Sequence, residues 1–205
     1  MDKKTISAKY AELGYRKGWT FLACPEARLR DAKVAIVGAN PGGGGPKDKY
    51  PYGEVWSVEE FNAFYDEPTE HRNQVRLWHK MILACPEETL CAQFIPFRSP
   101  GLADLARLDE AEAFAHTLWS WVLDRSPAKL FITMGRTPAK HLVDLLGARP
   151  FVTDFPAQWG KMTIDVYDSD QGHRIIRMPH PSRYKILGRF EETDEFFRSA
   201  VNFQL

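Results

Sequence analysis

The chain has no excess of either charge, since 27 lysines and arginines stand against 27 aspartates and glutamates in 205 residues. That removes the overall positive field that advertises nucleic-acid binding, although it leaves room for a local basic patch. Cysteine is scarce: Cys24, Cys85 and Cys91 are odd in number and fit no close-spaced metal pattern. A cluster held by four cysteines within one chain is excluded, and reduced thiols in a cytoplasmic protein are expected. No apolar run approaches membrane-spanning length, so no membrane partner is expected. The opening Met1–Thr5 leads into no apolar h-region, which argues against a signal peptide. Histidines lack metal spacing, with no His-x-x-x-His pair, and no Ser/His/Asp arrangement stands out. Neither a metal nor another cofactor is expected.

What is present begins with Val34-Ala35-Ile36-Val37-Gly38-Ala39-Asn40-Pro41, followed by the run Gly42–Gly45. Apolar, mostly β-branched residues ending in a polar, glycine-rich turn read as a buried central strand that delivers its carboxyl end into a loop. Ligands of open α/β sheets bind at such ends. The alternative is a strand-to-helix connection without a ligand, but Asn-Pro-Gly fixes a turn before the flexible part begins. A P-loop is ruled out because Gly45-Pro46-Lys47-Asp48 lacks the Gly-Lys-Ser/Thr start and puts proline where a backbone N–H should cradle phosphate. The dinucleotide fingerprint fails as well, because the glycines open no helix.

Residues 1–205 read as one domain. Helices are expected over 5–18 with Gly18 as the stop, over 57–65 from a capping box, over 69–84, over 109–124, over 137–146 and over 191–203. In the 109–124 helix, Phe114, Leu118, Trp121 and Val122 are expected to face inward, and His79 in an earlier helix reads as a packed residue. Strands are expected at 33–37, 90–95, 128–134, 162–167 and 173–178, with a Pro-rich connection around Pro150 and Pro156. The acidic stretch Asp168–Gly172 is a hairpin turn: as a calcium loop it would need glycine where His173 stands and glutamate where Pro179 stands. The order argues a three-layer α/β/α domain around a central, mostly parallel four-stranded sheet. Loops at 38–56, 96–101, 135–138 and 179–184 would share the carboxyl-end rim. The long segment 46–56 carries Tyr50 and Tyr52, which suit either a hydrophobic plug or a platform for an aromatic ligand. His180, held between Pro179 and Pro181 at that rim, reads as functional in preference to a buried histidine satisfied by a carbonyl.

Taken in order, these motifs resemble the uracil-DNA glycosylase superfamily. Gly38-Ala39-Asn40-Pro41-Gly42 looks like its first motif, and His180-Pro181-Ser182 is similar to its second. Phe94–Pro100 and Phe131–Ala139 look like the exits of the second and third strands in thermostable-type members, and Tyr50-Pro51-Tyr52 falls where mismatch-type members carry Phe-Pro-Phe. The resemblance implies a cofactor-free glycosylase that hydrolyses the N-glycosidic bond of uracil or another damaged base in DNA. By the same resemblance Asn40 orients the attacking water and His180 donates to the departing base. Gly38, Ala39, Pro41, Tyr52, Gln93 and Phe94 would surround the base, with Tyr52 stacking on it. Lys47, Arg98, Arg136, Ser182, Arg183 and Tyr184 would meet DNA. Gln93 stands where many members read the base edge with asparagine. Phe97 replaces a cysteine of the thermostable type, so no iron–sulfur cluster is expected. Two competitors remain open: a catalytically silent member that binds nucleic acid or a nucleobase, and a different small-molecule hydrolase on the same scaffold.

Overall fold

A computed structural model describes residues 1–43, 53–57, 78, 80–81, 88–181 and 183–202. Expected features at 44–52, including Lys47, Tyr50 and Tyr52, lie outside these residues, as do most of the 57–65 and 69–84 helices and Ser182.

The described elements are α1 (Lys3–Glu12), β1 (Trp19–Thr20), α2 (Arg28–Asp31), β2 (Val34–Gly38), β3 (Glu54–Val55) and β4 (Leu90–Gln93). They continue with α3 (Leu108–Leu123), β5 (Leu130–Met134), α4 (Arg136–Leu145), β6 (Arg149–Pro156), β7 (Thr163–Asp168), β8 (Arg174–Met178) and α5 (Glu191–Val201). The chain is a mixed α/β fold on a mostly parallel sheet. Strand order is β4-β2-β5-β8-β7-β6, and the first four strands pair parallel to one another. β1 and β3 form a separate two-stranded parallel pair.

Successive side chains on a strand face opposite ways, and the apolar residues of the central strands divide accordingly. Ala35, Val37, Phe131 and Ile175 pack with residues of α1, α3 and α4, whereas Val34, Ile36, Ile132 and Ile176 pack with Trp78 and α5. Every residue of β2 and β5 is buried, which explains why both read as continuous apolar runs.

Several boundaries differ from expectation for identifiable reasons. The sheet has six strands instead of four, because β7 joins it as the antiparallel partner of β8 and the stretch around Pro150 and Pro156 is a further strand, β6, paired antiparallel with β7. Proline is tolerated there because β6 is the sheet's edge, with irregular register and a left-handed Asp154 at φ 57°. Helix α1 stops at Glu12, before Gly14 at φ 72°, rather than running to Gly18. Gly18 instead lets the chain pass Gly53, whose carbonyl oxygen a Cβ would overlap. Helix α4 begins at Arg136 after Gly135, so Pro138 falls within its first turn, where a missing N–H costs no helical bond. The 169–172 turn closes as a hairpin, with the Ser169 N–H donating to the His173 carbonyl at 2.8 Å.

Candidate active site

The four parallel strands end level with one another. Gly38 lies opposite Gln93, Val37 opposite Thr133, and Met134 opposite Met178. Gln93, Gly38, Met134 and Met178 therefore form one row across the sheet. Asn40 and His180 each lie two residues beyond that row, past the ends of two strands that only β5 separates and that are therefore roughly 10 Å apart. The chain segments that follow β2, β4, β5 and β8 leave from this edge, as expected for the loops beginning at 38, 96, 135 and 179, while residues 44–52 of the first loop lie outside the described residues.

Asn40 is half-buried, and its amide orientation is set by its surroundings. Its Nδ2 donates to Ser99 Oγ at 2.9 Å, and reaches the carbonyls of Pro41 at 3.2 Å and Ser99 at 3.4 Å. The Ser99 hydroxyl hydrogen is committed to the Gly101 carbonyl at 2.7 Å, so Ser99 Oγ can only accept from Asn40. Two carbonyls and an accepting hydroxyl demand the NH2 side of the amide. Oδ1 thus points away from all three and makes no hydrogen bond among the described residues.

Gln93 lies against Gly38: a Cβ on Gly38 would overlap Gln93 Oε1 and come within 3.0 Å of Cδ and 3.2 Å of Nε2. Oε1 is buried and has no hydrogen-bond partner among the described residues. Such an orphan is rare, and in a native protein it asks for an explanation, a bound molecule among them. The backbone of this strand end is fixed from α3, where Trp119 Nε1 donates to the Phe94 carbonyl at 3.2 Å and reaches the Gln93 carbonyl at 3.3 Å. Trp119 is fully buried, while Trp121, expected inward, is only partly so.

Phe94 does not stand open to a base. It is fully buried, stacked on Trp119 with ring centroids 6.1 Å apart and on His141 at 4.7 Å. His141 is 3.4 Å from Glu112, yet burial lowers its pKa, and the carboxylate restores only part of that shift. Phe94 therefore belongs to the core beneath the strand end, which corrects its expected place in a base pocket.

Arg98 is corrected in the same way. It is buried, with Nη1 donating to the Gly42 carbonyl at 2.7 Å and Nη2 to Thr20 Oγ1 at 3.1 Å, so it ties loops together internally instead of meeting phosphate. With the Ser99 N–H donating to the Pro41 carbonyl at 3.3 Å, it binds the loop after β2 to the loop after β4. Arg136 and Arg183 are exposed and Tyr184 is half-buried. The half-buried His180 accepts from the Arg183 and Tyr184 backbone N–H groups at 3.0 and 3.1 Å through its carbonyl, which turns the chain back after β8. Ala39 and Pro41 adjoin Asn40, and the Ala39 carbonyl accepts from the Ile95 N–H at 2.9 Å.

Two residues missed in the sequence, Ser99 and Trp119, position this site. Ser99 lies in a Pro-flanked loop, whose rigidity was the available signal, while Trp119 is hidden by a one-turn ambiguity in the helical stripe. Cys24 and Cys91 form no disulfide among the described residues, and burial raises the Cys91 thiol far above its ordinary range. Among the described residues no group of three or more His, Cys, Asp or Glu is placed to hold a metal, and no helix is long and apolar enough to cross a membrane. A scan against protein-family models and a search of the curated proteins both find no match.

Proposed function

We propose that the chain is a divergent member of the uracil-DNA glycosylase fold family that hydrolyses the N-glycosidic bond of a base in DNA. The observation that carries this reading is the fixed amide of Asn40, whose unspent Oδ1 faces away from its backbone anchors at the carboxyl-end rim. An amide oxygen held in place can accept from a water and aim its lone pair at an anomeric carbon, although it cannot serve as a strong base. The leaving base departs as an anion, which His180 at the same rim would neutralise by donating a hydrogen bond. Gln93, one strand away, offers both an acceptor and a donor to a base edge. The parallel order β4-β2-β5-β8 supports the same family.

A specific observation favours the competing non-catalytic reading. The internal role of Arg98 removes one expected phosphate contact, leaving Arg136 and Arg183 as exposed cations of the expected set among the described residues. Single- and double-stranded oligonucleotides carrying uracil, hypoxanthine or a G·T mismatch separate the two. Alkali-labile sites that appear with the wild type and not with Asn40→Ala are expected. Binding without cleavage above the Asn40→Ala control at low salt would establish the silent binder instead.

A further inference from the structure

A cavity of about 420 Å³ opens on the other side of the sheet from Gln93, between α4 and strands β7 and β8. Its wall combines Arg136, Lys140 and Arg177 with Asp154, Asp165 and Tyr167. Arg177 is the built part. It is more than nine-tenths buried, its Nε donates to Asp165 Oδ2 at 2.6 Å, and its Nη2 donates to Thr163 Oγ1 at 2.7 Å. Its Nη1 makes no hydrogen bond among the described residues. Asp165 is fully occupied: Oδ1 accepts the Asp154 N–H at 2.9 Å, and Oδ2 accepts Tyr167 as well as Arg177. Burial pushes the Asp165 carboxyl up, but these bonds and the Arg177 charge outweigh it and hold the group below its ordinary pKa.

The Arg177–Asp165 pair therefore cancels in charge while leaving one guanidinium edge free. Of the remaining lining charges, Arg136 and Lys140 are positive and Asp154 is negative, so the cavity carries a net positive charge. Arg136 opens the first turn of α4, where the helix dipole also favours a negative charge. A buried guanidinium edge, two flexible cations and a helix start together match an oxyanion with several acceptor oxygens.

We propose that this cavity is a phosphate-binding subsite, separate from the row at Gln93, Gly38, Asn40 and His180. It does not rest on the glycosylase reading, because base excision is not its readout.

Inorganic phosphate titrated at low ionic strength, followed by calorimetry and by phosphorus NMR, tests it. Saturable binding is expected, weakened about tenfold or more in Arg136→Ala/Lys140→Ala and tightened several-fold in Asp154→Asn. All three changes are at exposed positions, whereas loss of Arg177 would strand Asp165 in the interior and confuse folding with binding. No saturable binding, or binding unchanged in the double variant, overturns the proposal. Competition identifies the source of the phosphate. Displacement by a single-stranded oligonucleotide at lower phosphate-equivalent concentration than by a 5′-mononucleotide assigns a nucleic-acid backbone. The reverse order assigns a free phosphorylated compound.

Discussion

Gly38→Ala probes the contact on which the site's outline depends. Gly38 has no positive φ, so alanine can adopt its backbone, and in a strand that change by itself stabilises by about 0.5–1 kcal/mol. The new methyl, however, would overlap Gln93 Oε1 and press on Cδ at 3.0 Å and Nε2 at 3.2 Å. Overpacking costs about 1–3 kcal/mol, and the lower end applies because the obstructing group is the end of a flexible side chain. At a cost near 1 kcal/mol, a net loss of roughly 0–0.5 kcal/mol is therefore expected for Gly38→Ala alone. In a Gln93→Ala background the obstruction is gone, and the same change should stabilise by about 0.5–1 kcal/mol. The double-mutant coupling is then about 1 kcal/mol, above the ordinary error of additivity. Urea denaturation of the four proteins measures it, provided the slope with denaturant stays constant. An equal cost of Gly38→Ala in both backgrounds would refute the contact. On the proposed function, displacing the Gln93 amide should also lower base excision by more than the stability change explains.

Arg98→Met should destabilise by about 1–3 kcal/mol, because it leaves the buried Thr20 hydroxyl without this donor and cuts the tie to the Gly42 carbonyl, and Arg98→Lys should recover less than half of that. A phosphate contact would instead leave the urea midpoint unchanged and reduce the salt dependence of DNA binding. His141 and His173 have pKa values lowered first of all by burial, so the unfolded chain takes up protons at a higher pH than the folded one. Their stabilising contribution is complete above the unfolded value near 6.5 and is lost as pH falls through the lower folded values; His141→Gln and His173→Gln should flatten that decline in urea midpoints between pH 7.5 and 5. Trp119→Phe should cost about 1–2 kcal/mol through the two carbonyls it leaves without this donor, and amide exchange should rise at Gln93 and Phe94.

Much of the scaffold was legible because its signals are local. β-Branched runs marked β2, β5 and β8, the helix expected to end at 146 ends at Leu145, and Asp168–Gly172 marked the hairpin. Edge strand β6 was hidden because proline ordinarily argues against a strand, and only its place at the sheet margin makes Pro150 and Pro156 acceptable. At the candidate site, the rim position of Asn40 and His180 was legible from the strands that precede them and the stiff turns that carry them. Arg98 was not, since nothing in its neighbours distinguishes a cation that reaches a distant carbonyl from one that reaches solvent. Phe94 was misplaced for a related reason: the ring that covers it, His141, comes from a helix 47 positions further along the chain.

The latch formed by Arg98, Ser99, Pro41 and Gly42 has a consequence for when entropy is lost. Freezing a side chain at the moment of association costs about 0.5–1.5 kcal/mol. Asn40 has already given up its rotamers during folding, because its amide is held by Ser99 and its loop by Arg98. A ligand arriving at this rim meets an acceptor whose direction is set in advance, so none of its binding energy is diverted to aligning that amide. Loosening the latch would therefore show itself as poorer alignment of the bound molecule before it showed itself as unfolding.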